Sequence, residues 1–443
     1  MARGLILAAP ASGSGKTTLT LALLRALVHR GIAVASAKVG PDYIDPAFHA
    51  AATGRCCVNI DSWAMRAGTL ARVIADAAQG ADLLLVEGVM GLFDGAIGPG
   101  ASGDGSTADL AVLTDWPVVL VVDAGGMGRS AAALLHGFAT FRPELPLAGV
   151  LFNRVGGPGH HRLLRAAAAE TGIPVLGLVP RDERLVLPRR HLGLVQATEL
   201  PDRDSWLDRA AAIIDAAVDL DRLGAIARPV ADRGGPAEPV GPAIRPPGQR
   251  IAIARDDAFR FFYPHIAAAW RDAGAELSFF SPLADQDPDP AGDAVVLPGG
   301  YPELYAGILA GHQRFHNGLR AAADRGAAVL GECGGYMVLG RGLIDAQGQR
   351  HAMTGLLPIE TSFAAPRLQL GYRRAVALQA TALGPVGTVW RGHEFHYASL
   401  LDTGDAPPNW LDVADAEGKP RPQRAGHRAG TVAGSFLHFI DQA

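Results

Sequence analysis

The sequence predicts an α/β protein of two domains in tandem, each built round a mostly parallel sheet. Three observations carry that expectation. Short apolar runs alternate with Ala- and Leu-rich stretches through the first half, a Pro-rich stretch breaks the pattern near residue 240, and the alternation then resumes. Alternation of this kind implies βαβ units. The chain of 443 residues suits two large domains at roughly 100–200 residues each.

Taken in order, residues 4–9, 33–37, 83–86, 118–122, 148–152 and 175–178 read as strands, with helical stretches between them. From about residue 227 to 249, Pro229, Pro236, Pro239, Pro242, Pro246 and Pro247 alternate with Gly and charged residues. Such a composition buries little and reads as a linker, dividing the chain into 1–226 and 250–443. Beyond it, residues 251–254, 277–280, 294–297 and 327–330 read as strands, followed by an irregular, antiparallel tail. No internal repeat occurs at solenoid spacing.

Charge and cysteine content narrow the function. Forty basic residues face 44 acidic ones, a formal net charge of −4, and the basic residues gather into nothing longer than Arg189-Arg190. Neither a nucleic-acid nor a membrane partner is implied, so small molecules are the expected substrates. Three cysteines, two of them the adjacent Cys56 and Cys57, make no disulfide framework, and a reducing cytoplasm is the expected compartment. The apolar run 5–9 after Arg3 is shorter than the roughly 7–15 residues of a secretory signal. No run approaches the ~18 apolar residues of a membrane span.

In the first half, Ala11-Ser12-Gly13-Ser14-Gly15-Lys16-Thr17-Thr18 follows a strand and precedes a helix carrying Leu19, Leu23, Leu24 and Leu27. Strand, glycine-rich turn and helix N-terminus together make a phosphate site, with Lys16 reaching the phosphates and Thr17 the magnesium ion. Pro10 stands where the full P-loop pattern has Gly, so this is a variant. Asp42, in Lys38-Val39-Gly40-Pro41-Asp42-Tyr43, and Glu87, at a strand end, are the acids expected to complete the ion's shell, since magnesium takes one or two carboxylates and open α/β sheets bind ligands at the carboxyl ends of their strands. Asp94, in a glycine-rich loop, either acts on substrate or caps a turn.

In the second half, Val329-Leu330-Gly331-Glu332-Cys333-Gly334-Gly335-Tyr336-Met337 runs an apolar strand into a glycine-flanked cysteine and then a helix. That is the sharp turn that exposes a nucleophile. A cysteine is mostly thiol at neutral pH and needs a base, and His438 is the candidate. Pro298-Gly299-Gly300 lies after another strand, where backbone N–H of Gly300 would join that of Gly334 in an oxyanion hole. His393 and His396 would share a face on a helix, as metal ligands require, but Phe395, Tyr397 and Val389-Trp390 suggest a strand, which favours a structural or interface role.

Taken together these residues closely resemble the cobyrinic or hydrogenobyrinic acid a,c-diamide synthase family over essentially the whole chain. The matches are Gly13-Ser14-Gly15-Lys16-Thr17-Thr18, Lys38-Val39-Gly40-Pro41-Asp42-Tyr43-Ile44-Asp45, Glu87-Gly88-Val89-Met90-Gly91-Leu92, Arg190-His191-Leu192-Gly193-Leu194, Gly299-Gly300-Tyr301-Pro302-Glu303-Leu304 and Arg391-Gly392-His393-Glu394-Phe395-His396-Tyr397. The resemblance implies a synthetase domain similar to dethiobiotin synthetase and a class I glutamine amidotransferase domain. Glutamine, ATP with Mg2+ and a corrin polycarboxylate are the implied small molecules, with no tightly bound organic cofactor.

Cys333 and His438 would release ammonia, which must reach the other domain without loss to water. ATP would phosphorylate the a and c acetates of the ring before ammonia displaces phosphate. The resemblance also places Tyr43, Ile44 and Asp94 at the corrin carboxylates and Asn153 at adenine. Class I chains often carry Glu two residues after the histidine, where this chain has Ile440; Asp441 would face the other way. Cobyric acid synthase is the nearest alternative, disfavoured by the Gly-Pro-Asp-Tyr and Glu-Gly-Val-Met-Gly segments. A MinD-like ATPase would carry Lys where Ala11 stands, and Cys333 and His438 argue against a regulatory protein with a dead glutaminase. The resemblance allows a homodimer and favours the cobalt-free ring of hydrogenobyrinic acid as substrate.

Overall fold

The computed structural model describes residues 1–187, 202–230, 241–401 and 406–443. The Arg190–Leu194 match and the centre of the Pro-rich stretch lie outside the described residues. Two compact units emerge: one of Met1–Trp63, Leu70–Ala96 and Ser102–Glu238, the other of Ala64–Thr69, Ile97–Ala101 and Pro239–Ala443.

The first unit's strands are β1 (Arg3–Ala8), β2 (Val34–Val39), β3 (Val58–Ile60), β4 (Leu83–Glu87), β5 (Val118–Asp123), β6 (Leu147–Val155), β7 (Val175–Pro180) and β8 (Arg228–Pro229). They form one sheet in the order β3-β2-β4-β1-β5-β6-β7, with β8 added beside β1. Every pair is parallel except β1 with β8. Strands covered on both faces must be apolar at successive positions, and β4, Leu-Leu-Leu-Val-Glu, is buried throughout. Helix Lys16–His29 packs Leu19, Leu21, Leu23, Leu24 and Leu27 into one face of this core.

The sequence reading misses β3, a three-residue strand whose middle residue is the polar Asn59. Asn59 is buried because its amide donates to the carbonyls of Gly40 (2.8 Å) and Asp42 (2.7 Å). The Pro-rich stretch also buries more than its composition suggests: Ala227, Val230, Ala243 and Ile244 are all buried. The Ile244 carbonyl accepts from Trp270 Nε1 at 2.9 Å.

The second unit opens with β9 (Arg250–Ala254), β10 (Glu276–Phe280), β11 (Ala294–Leu297) and β12 (Ala328–Glu332). Short strands follow: β13 (Gly342–Ile344), β14 (Arg350–Ala352), β15 (Glu360–Ser362), β16 (Gln369–Ala377), β17 (Val389–His396), β18 (Ser399–Leu400), β19 (Leu411–Ala414), β20 (His427–Ala429), β21 (Val432–Ser435) and β22 (Leu437–Gln442). The main sheet runs β10-β9-β11-β12-β21-β20, and it is parallel apart from β20. The tail makes two further sheets, β14-β13-β15-β18 and β19-β16-β17-β22, the second wholly antiparallel. In it Glu394, almost unexposed, is bound by Arg373 at 2.8 Å and by Arg421 at 2.8 Å, so its charge is compensated as a buried carboxylate requires.

Helix Gly334–Leu339 lies against the end of β11 so closely that a Cβ on Gly335 would stand 1.9 Å from the Leu297 carbonyl oxygen. Gly335→Ala is therefore expected to destabilise the second unit by about 1–3 kcal/mol. Thermal melting should fall by several degrees, at roughly 2–4 °C per kcal/mol; an unchanged Tm would contradict this packing.

Candidate active site

Two constellations emerge, one in each unit. In the first, the turn after β1 takes left-handed backbone at Gly13 (φ 85°) and Gly15 (φ 91°), which glycine adopts without strain. At Gly15 space is limiting too, because a Cβ would lie 2.2 Å from Asn153 Nδ2. That amide donates to the Ser14 carbonyl at 3.0 Å, so Asn153 braces the loop. Ser12, Gly13, Gly15, Lys16, Thr17, Thr18 and Asn153 open onto a pocket of about 1260 Å³. Ser14 is turned inward, its hydroxyl donating to the Ala11 carbonyl at 2.8 Å.

Sheet order decides what surrounds this loop. With β4 between β1 and β2, Glu87 is level with Leu7 on one side and Lys38 on the other. Thr17 Oγ1 lies 2.6 Å from Glu87 Oε1 and 3.4 Å from Asp45 Oδ2. Lys38 Nζ bridges the same two acids, 2.6 Å from Asp45 and 2.9 Å from Glu87. His49 Nε2 is 2.7 Å from the other Glu87 oxygen, and its Nδ1 is 3.5 Å from Cys57 Sγ. Lys16 Nζ donates to the carbonyls of Gly88 (2.5 Å) and Met90 (3.3 Å).

Burial alone would raise the Glu87 pKa, but Lys38 and His49 outweigh it and hold the group well below the usual carboxylate range. Burial and the neighbouring Asp42 push Asp45 up to about 7. Burial and the like charge of Lys38 lower Lys16 to about 8, and bound phosphate would restore its charge.

Of the three expected metal ligands, Thr17 and Glu87 meet. Asp42 opens onto the pocket, but its Oδ1 accepts from the Ile44 N–H at 2.7 Å. Asp45, which the sequence reading did not single out, also lies beside Thr17. Thr17, Glu87 and Asp45 supply hard oxygen donors next to a phosphate cradle, the donor chemistry that magnesium prefers. Among the described residues no three His, Cys, Asp or Glu side chains gather into a metal site.

Tyr43 and Ile44 stand at the start of helix Ile44–Thr53, and Ile44 opens onto the pocket. Asp94 caps a turn, accepting from the Gly91 N–H at 2.8 Å.

In the second unit, Cys333 follows β12 with φ 46° and ψ −103°, a strained conformation for a side-chain-bearing residue and one found at nucleophile turns. Its N–H donates to the Ser435 carbonyl at 2.8 Å, and its thiol donates to the Phe395 carbonyl at 3.6 Å. The Gly300 nitrogen is 3.1 Å from where a Gly334 Cβ would stand, so the two expected oxyanion donors are neighbours.

His438, fully buried, pairs with His393 across β22 and β17, and the two rings stack with centroids 4.9 Å apart. A Cβ on Gly299 would meet His438 Cε1 at 2.3 Å, so Gly299 rather than Gly300 makes room for the ring. His438 Nδ1 is 3.9 Å from Glu332 Oε2, a partner the sequence reading did not find. His396 stacks on Phe436 and its Nδ1 faces the Ala398 carbonyl at 2.9 Å. Both lie on strand β17, where His393 stacks on His438 and His396 on Phe436.

Burial and then Glu303 raise the Cys333 thiol pKa, while burial and then His393 and His396 lower that of His438. Both groups are therefore neutral at rest, one a thiol and the other an imidazole.

Glu303 is half-buried, its Oε2 shut off from solvent with no hydrogen-bond partner among the described residues, and this burial pushes its carboxyl up to about 8. The folded chain then binds this proton more tightly than the unfolded chain does. Its stability contribution is present below the ordinary carboxylate value and is lost as pH rises through about 8. Glu303→Gln should make Tm fall less steeply than the wild type's as pH rises from 5 to 8; parallel curves in thermal melts would count against this carboxyl being held protonated.

Comparison with known proteins adds the family. Residues 5–195 match the CobQ/CobB/MinD/ParA nucleotide binding domain, and residues 250–443 match the CobB/CobQ-like glutamine amidotransferase domain. The hydrogenobyrinate a,c-diamide synthase of Sinorhizobium sp is 52% identical over 443 residues, covering 99% of this chain and 99% of the relative. The enzymes of that name from Brucella suis biovar 1 and Rhodobacter capsulatus are each 52% identical over 99% of this chain and 98% of the relative. The chain belongs to the hydrogenobyrinate a,c-diamide synthase family, joining a nucleotide-binding domain to a glutamine amidotransferase domain.

Proposed function

We propose that this chain converts the a and c acetate carboxylates of hydrogenobyrinic acid to amides, using ATP and glutamine in the cytoplasm. The observation that carries the reading is full-length identity of 52% to enzymes of that name, in a chain holding both a phosphate cradle and a nucleophile turn. The division of labour falls at 1–226 and 250–443, joined by 227–249. The chemistry explains why both parts are needed. A carboxylate is a poor acyl donor until phosphorylated, and ammonia in water at neutral pH is mostly ammonium.

In the glutaminase reaction Cys333 Sγ attacks the side-chain carbonyl carbon of glutamine and passes its proton to His438. The N–H groups of Gly300 and Gly334 hold the oxyanion, a contribution of about 2.7–4 kcal/mol per donor in comparable sites. His438 then protonates the leaving nitrogen, the C–N bond breaks, and water hydrolyses the thioester.

In the synthetase reaction Lys16 and the loop from Ser12 to Thr18 hold the triphosphate, while Asn153 stands at the adenine side. Thr17 and Glu87, with Asp42 or Asp45, would hold Mg2+, which neutralises phosphate charge when bound. Tyr43, Ile44 and Asp94 serve the ring carboxylates. The γ-phosphoryl group passes to a ring carboxylate, and ammonia then forms the C–N bond as phosphate leaves.

Two variants test the arrangement, assayed with hydrogenobyrinic acid and ATP. Cys333→Ala should lose glutamine-dependent amidation yet keep amidation from added ammonia. Lys16→Ala should lose both by roughly 100-fold or more, since it removes a charge that acts on the phosphoryl group. A Cys333→Ala protein inactive with ammonia, or a Lys16→Ala protein of full activity, would overturn the assignment.

A further inference from the structure

The base of the glutaminase site raises a question its own strand does not answer. Two residues after His438 stands Ile440, and the carboxylate of Asp441 is engaged by Arg66, whose backbone N–H lies at 2.8 Å and Nη2 at 2.7 Å. An imidazole that must take a proton on one nitrogen needs its other nitrogen fixed, or its tautomer and orientation are undefined.

We propose that Glu332, the residue immediately before the nucleophile Cys333, is the positioning residue for His438, holding the imidazole with Nδ1–H toward its carboxylate and leaving Nε2 as the basic nitrogen. This rests on the glutaminase reading above. The acid is thus supplied from the end of β12 rather than from the histidine's own strand.

The geometry supports it on three counts. Glu332 spans the strand it serves, with Oε1 accepting from the Phe439 N–H at 3.5 Å and Oε2 at 3.9 Å from His438 Nδ1. The separation from Nδ1 is that of an ion pair rather than a direct hydrogen bond, and Glu332 also lines a cavity of about 20 Å³. That cavity is otherwise lined by side chains such as Ile244, Phe262, Leu330, Trp410 and Phe439, and Glu332 is the one charged residue there among the described residues. A carboxyl group in such surroundings costs stability unless it has work to do.

Other ionisable groups surround the pair. His393 stacks on the far side of His438, and His396 lowers the His438 pKa as well. Glu303 and Glu394 act on Cys333, with Glu394 held by Arg373 and Arg421. When Cys333 gives its proton to Nε2, the imidazolium gains its compensating charge from Glu332, and it loses that charge again when the proton passes to the leaving nitrogen. No atom of Glu332 is transferred. Burial pushes the Glu332 carboxyl up to about 8, so the ionised form that serves the step is gained as pH rises.

The experiment measures glutamine hydrolysis by the full-length protein against pH for the wild type, Glu332→Gln, Glu332→Asp and Cys333→Ala. Thermal melts and ammonia-dependent amidation report on folding. Glu332→Gln, of equal size, should lower kcat by roughly 100-fold, the low end of what positioned proton transfer contributes, with KM within about twofold. It should also lose the rise in kcat toward pH 8, and amidation from ammonia should not change. Glu332→Asp, charged but shorter, should retain that rise and a kcat above that of Glu332→Gln. Wild-type kcat and pH profile in Glu332→Gln, beside an inactive Cys333→Ala, would overturn the proposal and leave the glutaminase reading standing. Glutamine hydrolysis by Cys333→Ala would instead overturn that reading.

Discussion

Glu87 sits at the carboxyl end of β4 with no solvent exposure, and it keeps its charge there because Lys38, His49 and Thr17 converge on it. A lone carboxylate in that position would take up a proton rather than remain charged in a low-dielectric core. Strand order makes the convergence possible. Inserting β4 between β1 and β2 sets Glu87 level with Lys38 and beside the turn that carries Lys16 and Thr17. The apolar runs that build the sheet therefore also deliver a buried anion to the edge where phosphates bind. Removing Lys38 or His49 would leave the charge of Glu87 under-compensated, a defect worth about 3–5 kcal/mol in comparable buried pairs.

The second unit holds a buried sulfur at a strained turn. Cys333 is only 3% exposed, and its positive φ turns the side chain out of the β12 ladder before helix Gly334–Leu339 begins. Close approach of backbone at Gly299, Gly300, Gly334 and Gly335 replaces side chains with N–H groups and ring faces. Burial keeps thiol and imidazole neutral at rest, and a buried thiol of raised pKa is little ionised until something changes its surroundings.

Much of this was legible in the residues. Strands buried on both faces announce themselves as unbroken apolar runs, which is why β1, β4, β5, β11 and β12 are readable. The glycine-rich turn before Lys16 and the turn at Cys333 are local, and local geometry survives in a linear string. Contacts set by register do not. Lys38, Asp45 and His49 come from β2 and the helix after it, and only the sheet order brings them to Glu87. Glu332 was hidden for the same reason, being 106 positions from the histidine it faces. Asn59 concealed β3 because its polarity is satisfied by loop carbonyls rather than by solvent. Asp94 could be read either as a substrate group or as a turn cap, and the Gly91 contact is one that no linear reading of the loop could supply.

The most direct measurement is product mass and ADP formed by the wild-type protein with glutamine and magnesium, in parallel incubations with hydrogenobyrinic and cobyrinic acid. The account predicts consumption of the cobalt-free ring, two carboxyl-to-amide conversions and then arrest, with one ADP for each amide. Amidation continuing beyond two groups, or ATP binding without amidation of either ring, would contradict it.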